Sequence, residues 1–548
     1  MIYPKWSRFL LCLVLTVGGT NLFFVPLSWR QVTVAAPGAV DGNIREQAVQ
    51  IAEAGVQQQT VESESSQVKY GSFVNGEGLP VDQQFLGLQN QDKGNRLVRT
   101  GDQSQTGNNN TFTQLGDGAM IGEIQVRFVD ENGQLTTGRT QPSIITREFE
   151  LQPGDVYRTA LAQEGLQRVR ELEIVREAQL SLEPTRVSNQ VVMVVYVEER
   201  SPFSISVVPG SSRAKGVFGV LRLRDRNVGG NAQTLALELE GGERTVGANL
   251  SFTDPWIAGD PNHTGYTLNV FTQRSPTDVF IGGDHDIDLP NGNTPWVHRL
   301  GGGGEVFRPI SSDWTAGVGL SYQRVSIRDQ AFTNEVEPVD ELGNPLSFDH
   351  QGQDDLLTLN LSAIQDRRND QDYPTQGSKL ELGVDQSIPV GQGNILFNRL
   401  SGSYTQYIPV EFFGFSRGYQ TFVFNLQGGT VIGELPPYEA FSLGGGSSVR
   451  GYQSGDVGSG RSFVQATAEY RFPVFSWLGG TLFADYATDL GSGDTVPGEP
   501  AEVRDKPGSG FGYGVGVRVR SPFGSVQVDF GFSDQGNSQL HFRVGERF

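Results

Sequence analysis

From residue 202 to the end, the chain is written in segments of about ten residues in which apolar and polar side chains alternate. In "YGVGVRVR", Tyr513, Val515, Val517 and Val519 share one face, and Gly514, Gly516, Arg518 and Arg520 share the other. "SVQVDFGF" sets Val526, Val528, Phe530 and Phe532 against Gln527 and Asp529. "TFVFNL" sets Phe422, Phe424 and Leu426 against Val423 and Asn425. A period of two is a strand period. A soluble sandwich alternates as well, so three further features decide. The segments are long for sandwich strands. Their apolar faces are rich in Phe and Tyr, while the opposite faces carry Arg, Asp, Glu and Gln. Connections alternate between short and long: wide gaps follow strands near 264–274, 314–328, 418–430 and 479–488, whereas turns such as "SPFG" (521–524) are tight. A polar interior with asymmetric connections defines a transmembrane β-barrel. Closure is the only way a sheet satisfies its backbone groups in lipid. About sixteen segments are present, within the even-numbered range of such barrels. The expected class is mainly β: a 16-stranded antiparallel barrel over 201–548.

Composition agrees. Hydrophobic content is 37%, low for a large globular core, and the 71 glycines fit many strands broken by turns. The net charge of −20 argues against a nucleic acid partner, because phosphate binding needs a basic surface.

The N-terminus reads as an export signal over 1–36. Lys5 and Arg8 precede the apolar run "FLLCLVLTV", and small residues follow at Val34, Ala35 and Ala36. An uncleaved anchor is the alternative, since apolar character continues to about Trp29. The single cysteine, Cys12, lies in this run, so a processed chain has no disulfide and no thiolate metal site. His263, His285, His298, His350 and His541 are scattered without ligand spacing. No catalytic residue, cofactor or metal is expected. Residues 37–118 are rich in Gln, Asn, Ser, Gly and Glu, and are expected to be a disordered linker.

Between 119 and 200 the pattern changes. "IGEIQVRFVDENG" is a strand and turn. Ile144, Ile145 and Phe149 fit a short helix, and Asp155 is placed to cap a second one that carries Leu161, Leu166 and Val169. "EIVREAQLSLEPT" and "NQVVMVVYVEER" are two more strands. The order β-α-α-β-β makes one small α+β domain. It precedes the first barrel strand, so it shares a side with the short turns, and the long loops lie on the other side.

One of those loops holds "FSLGGGSSVRGYQSGD" (441–456). It is long enough to fold back into the barrel. An arginine there needs carboxylates, because an unpaired buried charge is costly. Glu469 in "RSFVQATAEYRF" and Asp485 in "TLFADYATD" both have inward parity. An exposed arginine at the loop tip is the alternative.

Val449-Arg450-Gly451-Tyr452 on the sixth outer loop of a sixteen-stranded barrel resembles the signature of outer-membrane assembly factors of the BamA type. Chloroplast Toc-type channels and two-partner secretion transporters are relatives of that family. "DRRNDQDYPTQGSKLELG" (366–383), "FTDPWIAGD" (252–260), "AEYRFPV", "FADYATDLGSG" and the final Phe548 resemble further family features, and the small domain resembles a POTRA domain. "GELPPYEAFSLGGG" and "FRVGERF" are cyanobacterial in style. The resemblance spans roughly 119–548. It implies an integral outer-membrane protein, not an enzyme, with its POTRA domain in the periplasm. Its implied partners are unfolded outer-membrane or secreted polypeptides, outer-membrane lipid and accessory assembly subunits. In the family the signature arginine is held by an aspartate on the thirteenth strand, which maps onto Asp485; Glu469 is the competing partner. The chain departs from the pattern in having one POTRA domain where assembly factors usually have three or more.

A seam between the first and last strands is the expected gate. Strand 1, "FSISVVPG", contains Pro209, which cannot donate to a ladder, and the last strand runs "LHFRVGERF" to Phe548. The alternative is that Pro209 merely ends its strand. The implied activity is insertion of outer-membrane proteins through that seam. A secretion pore for one dedicated partner, working through the lumen, is the second reading, and a passive porin the third. "GFSRG" (414–418) has the spacing of a nucleophile elbow but is followed by a strand instead of a helix; it reads as a turn. "GGGG" (301–304) precedes neither helix nor lysine and reads as a strand bend.

Overall fold

The computed structural model describes residues 117–548, except 372, 413–417, 419 and 522–523. The expected leader and all but the last two residues of the expected linker lie outside this range, as does most of "GFSRG".

The small domain comprises β1 (Met120–Val129), α1 (Pro142–Thr146), α2 (Thr159–Glu171), β2 (Val175–Pro184) and β3 (Gln190–Glu199). β3 is central, parallel to β1 and antiparallel to β2. Its run of Val191, Met193, Val194, Val195 and Val197 is fully buried, as a central strand requires. α1 opens on Pro142, whose missing N–H costs nothing there. α2 presents Ala162, Gly165, Leu166 and Val169 to the sheet at helical spacing. Asp155 does not cap α2. It lies four residues before the helix and instead accepts from the Gln152 amide at 2.8 Å. The Thr159 amide is met by Asp117 at 2.6 Å.

Sixteen strands follow in one antiparallel sheet. They are β4 (Phe203–Ser212), β5 (Gly216–Val228), β6 (Gln233–Gly242), β7 (Val246–Asp254), β8 (Gly265–Ser275), β9 (Trp296–Pro309), β10 (Trp314–Arg328) and β11 (Gln353–Asp366). After these come β12 (Gly377–Ile388), β13 (Phe397–Val410) and β14 (Gln420–Gly433). Two short strands within a loop, β15 (Phe441–Leu443) and β16 (Gly458–Gly460), pair only with each other. The barrel resumes with β17 (Ser462–Pro473), β18 (Leu478–Thr488), β19 (Ser509–Ser521), β20 (Gly524–Ser533) and β21 (Ser538–Val544). Each strand pairs with its neighbours in the chain, β14 with β17 across the loop.

The usual distribution of side chains is inverted. Leu268, Leu400, Leu482, Tyr513 and Phe542 point outward and are exposed, while Asn425, Glu469, Asp485 and Asp529 point inward and are buried. In a bilayer the outward face meets hydrocarbon, so this inversion is the stable arrangement. Long connections at 276–295, 329–352, 434–461 and 489–508 lie at one end, opposite the end where the small domain joins. These outer loops interlock. Phe280, Leu289, Leu346, Tyr438, Val449 and Val496 belong to one buried apolar cluster. Lys506 donates to the carbonyls of Asp278, Val279 and Ile281, and to Ser459 at 2.8 Å. Arg213 bridges Asp456 at 2.8 Å and Asp286 at 3.0 Å.

Among the described residues no ladder joins β21 to β4, the two ends of the sheet, although the strands lie side by side. Pro209 does not end its strand: β4 continues to Ser212, with Pro209 opposite Gly219. "GGGG" lies within β9.

Candidate functional site

The loop 434–461 turns into the barrel and is held at two places. Arg450 is 0% exposed. Its Nε donates to Asp485 Oδ2 at 2.7 Å, Nη2 to Asp485 Oδ1 at 2.9 Å, and its backbone amide to Asp485 Oδ2 at 3.1 Å. Nη1 lies 2.8 Å from Glu469 and 3.0 Å from Asp529. The guanidinium stacks on Phe483, 3.5 Å from the ring centroid. Asp485 and Glu469 therefore share the arginine.

Neither carboxylate is saturated by it. Asp485 also takes Thr467 Oγ1 at 2.8 Å and Arg547 Nη1 at 3.0 Å. Glu469 takes Arg518 at 2.8 Å and Arg471 at 2.9 Å, and both of these arginines reach Glu546. The cluster thus balances four arginines (450, 471, 518, 547) against four carboxylates (Glu469, Asp485, Asp529, Glu546). Such balance is what lets charges remain ionised away from water.

Backbone shape makes room for the loop. Gly451 has φ +101°, and a Cβ there would meet Phe532 at 2.5 Å. A Cβ on Gly512 would lie 1.8 Å from the Arg450 carbonyl, so only glycine fits on β19 beneath the motif. The Gly451 amide donates to His541 Nε2 at 3.1 Å, Tyr452 donates to Asp534, and Val449 is buried in the apolar cluster.

The second anchor has the opposite sign. Glu439 bridges Arg299 of β9 at 2.6 Å and Arg399 of β13 at 2.9 Å, with all three side chains at most 4% exposed. Tyr438 donates to Asp354 at 2.8 Å.

Sequence reasoning identified Arg450, Asp485 and Glu469 as one group but overlooked Arg547, Glu546, Asp529 and Glu439. The inward parity of Asp529 was readable in β20. Glu439 and the tail had no such signal, because they lie outside the alternating segments. Phe548 is not at the seam. Gly545, at φ +96°, precedes a tail whose Arg547 and Glu546 join the cluster, and the Phe548 carbonyl accepts from Tyr407 of β13 at 3.2 Å.

The small domain meets the barrel at a lighter junction. The Gln141 amide donates to the Gly230 carbonyl at 2.9 Å, and Asn227 donates to Thr140 at 2.9 Å. Arg139 bridges Asp225 at 2.7 Å on the surface. Arg147 lies 4.5 Å from the ring centroid of Trp256, in the turn after β7, and donates to its carbonyl at 3.2 Å. His263 stacks on the same indole at 3.8 Å, and burial lowers its pKa. Burial pushes the adjacent Glu148 up to about 7.

A transmembrane barrel with an inward-pinned outer loop and a β-α-α-β-β domain at its other end is the architecture of barrels that insert or translocate proteins. The chain belongs to the Omp85 superfamily: residues 227–548 match its domain. It is an integral outer-membrane protein of that protein-handling family, in which the known functions are insertion and translocation, not enzymatic. It is 33% identical over 437 residues to Outer envelope protein 80 of Arabidopsis thaliana chloroplasts, covering 78% of this chain and 57% of the relative. It is 26% identical over 466 residues to Protein TOC75 of Pisum sativum chloroplasts, covering 78% of this chain and 56% of the relative. The chain therefore spans a little over half the length of these relatives. Among solved structures, BamA from Haemophilus ducreyi lacking POTRA domains 1–3 shares the fold, with TM-score 0.57 and 17% identity over 78% of this chain and 84% of that one.

Proposed function

We propose that the protein inserts outer-membrane polypeptides, with its POTRA-type domain presenting a sheet edge to an incoming strand and the seam between β4 and β21 opening laterally into the bilayer. The observation that carries this reading is the unpaired seam in an otherwise continuous ladder. β21 spans only Ser538–Val544, and β4 carries Pro209, so little backbone hydrogen bonding opposes parting. The interlocked outer loops favour the lateral route over the lumen, because a passage through the lumen first has to break the Arg450 and Glu439 anchors. In the small domain β1 and β2 are edge strands, and edge pairing recognises backbone with little demand on sequence.

The test is a disulfide between cysteines at 206 and a facing position of 540–546. Oxidation should stop insertion of barrel substrates and reduction should restore it. Undiminished insertion by a fully cross-linked population overturns lateral opening and favours a lumenal secretion pore.

A further inference from the structure

Along most of the barrel the outward positions carry Leu, Val, Phe or Tyr, which make a level wall. On β17 and β18 they do not. Ala468 pairs with Ala484, and Ala466 lies two residues along β17, so three alanines occupy adjoining outward positions. Larger side chains stand on either side. Leu426 and Phe424 of β14 pair with Ala466 and Ala468, and Tyr486 pairs with Ala466 from β18 and with Phe511 of β19. The result is a trough of about 370 Å³ with an alanine floor and aromatic walls.

The small residues alone do not produce it. Gly302 and Gly304 of β9 also point outward, but Val270 and Leu268 lean over them: a Cβ would meet those side chains at 3.1 Å and 2.9 Å. In the trough the space above the alanines stays open. The polar residues along its floor spend their groups on the other side of the wall. Asn425 donates to Thr405 at 2.9 Å, Thr467 to Asp485 at 2.8 Å, and Asp485 holds Arg450. The lining that remains is apolar apart from two phenol hydroxyls, that of Tyr404, which donates to Gln406 at 2.6 Å, and that of Tyr486.

We infer that this trough is a binding site for one acyl chain of an outer-membrane lipid. It is continuous with the outward apolar surface, so the medium that reaches it is hydrocarbon. An unfilled slot would forfeit dispersion contacts on every wall. Its floor is two strands wide, β17 and β18, and its walls stand on β14 and β19, roughly 14 Å apart between strand axes. After the flanking side chains this leaves a slot for a chain, not a bay for a protein surface. The trough also backs directly onto Thr467 and Asp485, so the seated chain lies one wall thickness from the Arg450 cluster.

The experiment uses the full-length protein in phosphatidylglycerol vesicles doped with phosphatidylglycerol carrying a mid-chain diazirine. After irradiation, labelled residues are mapped by mass spectrometry. Label should concentrate on 464–470 and 482–486, above that on the control wall around Leu268 and Val270. Ala466→Phe with Ala484→Phe, which fills the trough, should cut label there about tenfold, the change expected for losing two buried methylene groups. Labelling at Leu268 should not change. If that variant fails to fold, the wild-type contrast between the two walls still decides. Even labelling of both walls overturns the inference. So does a dimer that shields the trough from label, which would assign the groove to a second copy of the chain.

Discussion

The arginines under the outer loop and those at the junction with the periplasmic domain are bound in opposite ways. Arg450 has no exposed surface and meets three carboxylates. Arg139 is 45% exposed and meets one. Arg147 stacks on an indole, with its closest carboxylate contact 3.8 Å away at Glu148. A desolvated, balanced network is expensive to break, because losing one member strands the others. A surface pair is worth about 0–1 kcal/mol and yields to salt. The outer loop is therefore held by a desolvated charge network, whereas at the periplasmic junction the charged ties of Arg139 and Arg147 are the weaker ones, beside the buried Asn227–Thr140 bond and the Arg226–Glu173 pair.

The largest expected effect is at the fixed end. Arg450→Ala should destabilise loop and barrel by about 3–5 kcal/mol, read from the denaturant midpoint in micelles. It should also open 434–461 to protease added from outside. Asp485→Ala should do the same, and the double variant should fall well short of the sum. Simple additivity would break the picture of one network.

Next comes pH, at the junction. Glu148 has its folded pKa at about 7, above its unfolded value of 4.5. Its contribution is thus fully present below pH 4.5 and is lost as pH rises through 7, by up to roughly 3 kcal/mol. Hydrogen exchange of β1–β3 in the full chain, corrected for intrinsic rates, should show this slope, and Glu148→Gln should flatten it. An unchanged slope in that variant assigns the effect elsewhere.

Trp256→Ala should loosen the junction by about 1–2 kcal/mol, the range for a partly desolvated cation–π contact. Spin labels on the small domain and the barrel would report a broader distance distribution. The smallest effect is Arg139→Ala. It should cost under about 1 kcal/mol and vanish at high salt, so a large salt-independent loss would mean that this tie is not a weak one.

The barrel was legible because alternation is a local property: each inward or outward assignment in "YGVGVRVR" or "SVQVDFGF" needs only the neighbouring residues. The Arg450–Asp485–Glu469 group was legible through the resemblance joined to parity. What escaped depends on long-range folding. The tail beyond Val544 enters the lumen after Gly545 and brings Glu546 and Arg547 there, 62 residues from Asp485. Glu439 sits in a stretch with no period, and its two arginines come from β9 and β13. The Asp155 cap failed for a local reason: the helix starts at Thr159, two residues before Leu161, with Arg158 and not Asp155 at its N-cap position.

The two anchors of the outer loop also have a mechanical consequence. Glu439 is tied to β9 and β13, and Arg450 to β17, β18 and β20. The segment between them acts as a tie-rod across the cylinder. Any widening of the hoop between β9 and β20 has to stretch that rod or shear an anchor. Outside that arc the loop reaches β21 only through the Gly451 amide on His541 and the Gly446 carbonyl on Arg543, and the β4–β5 turn through the partly exposed Asp456–Arg213 pair, so circumferential give is largest there. A barrel that is stiff along one arc and compliant along the other concentrates any hoop stress where the staves are already unglued.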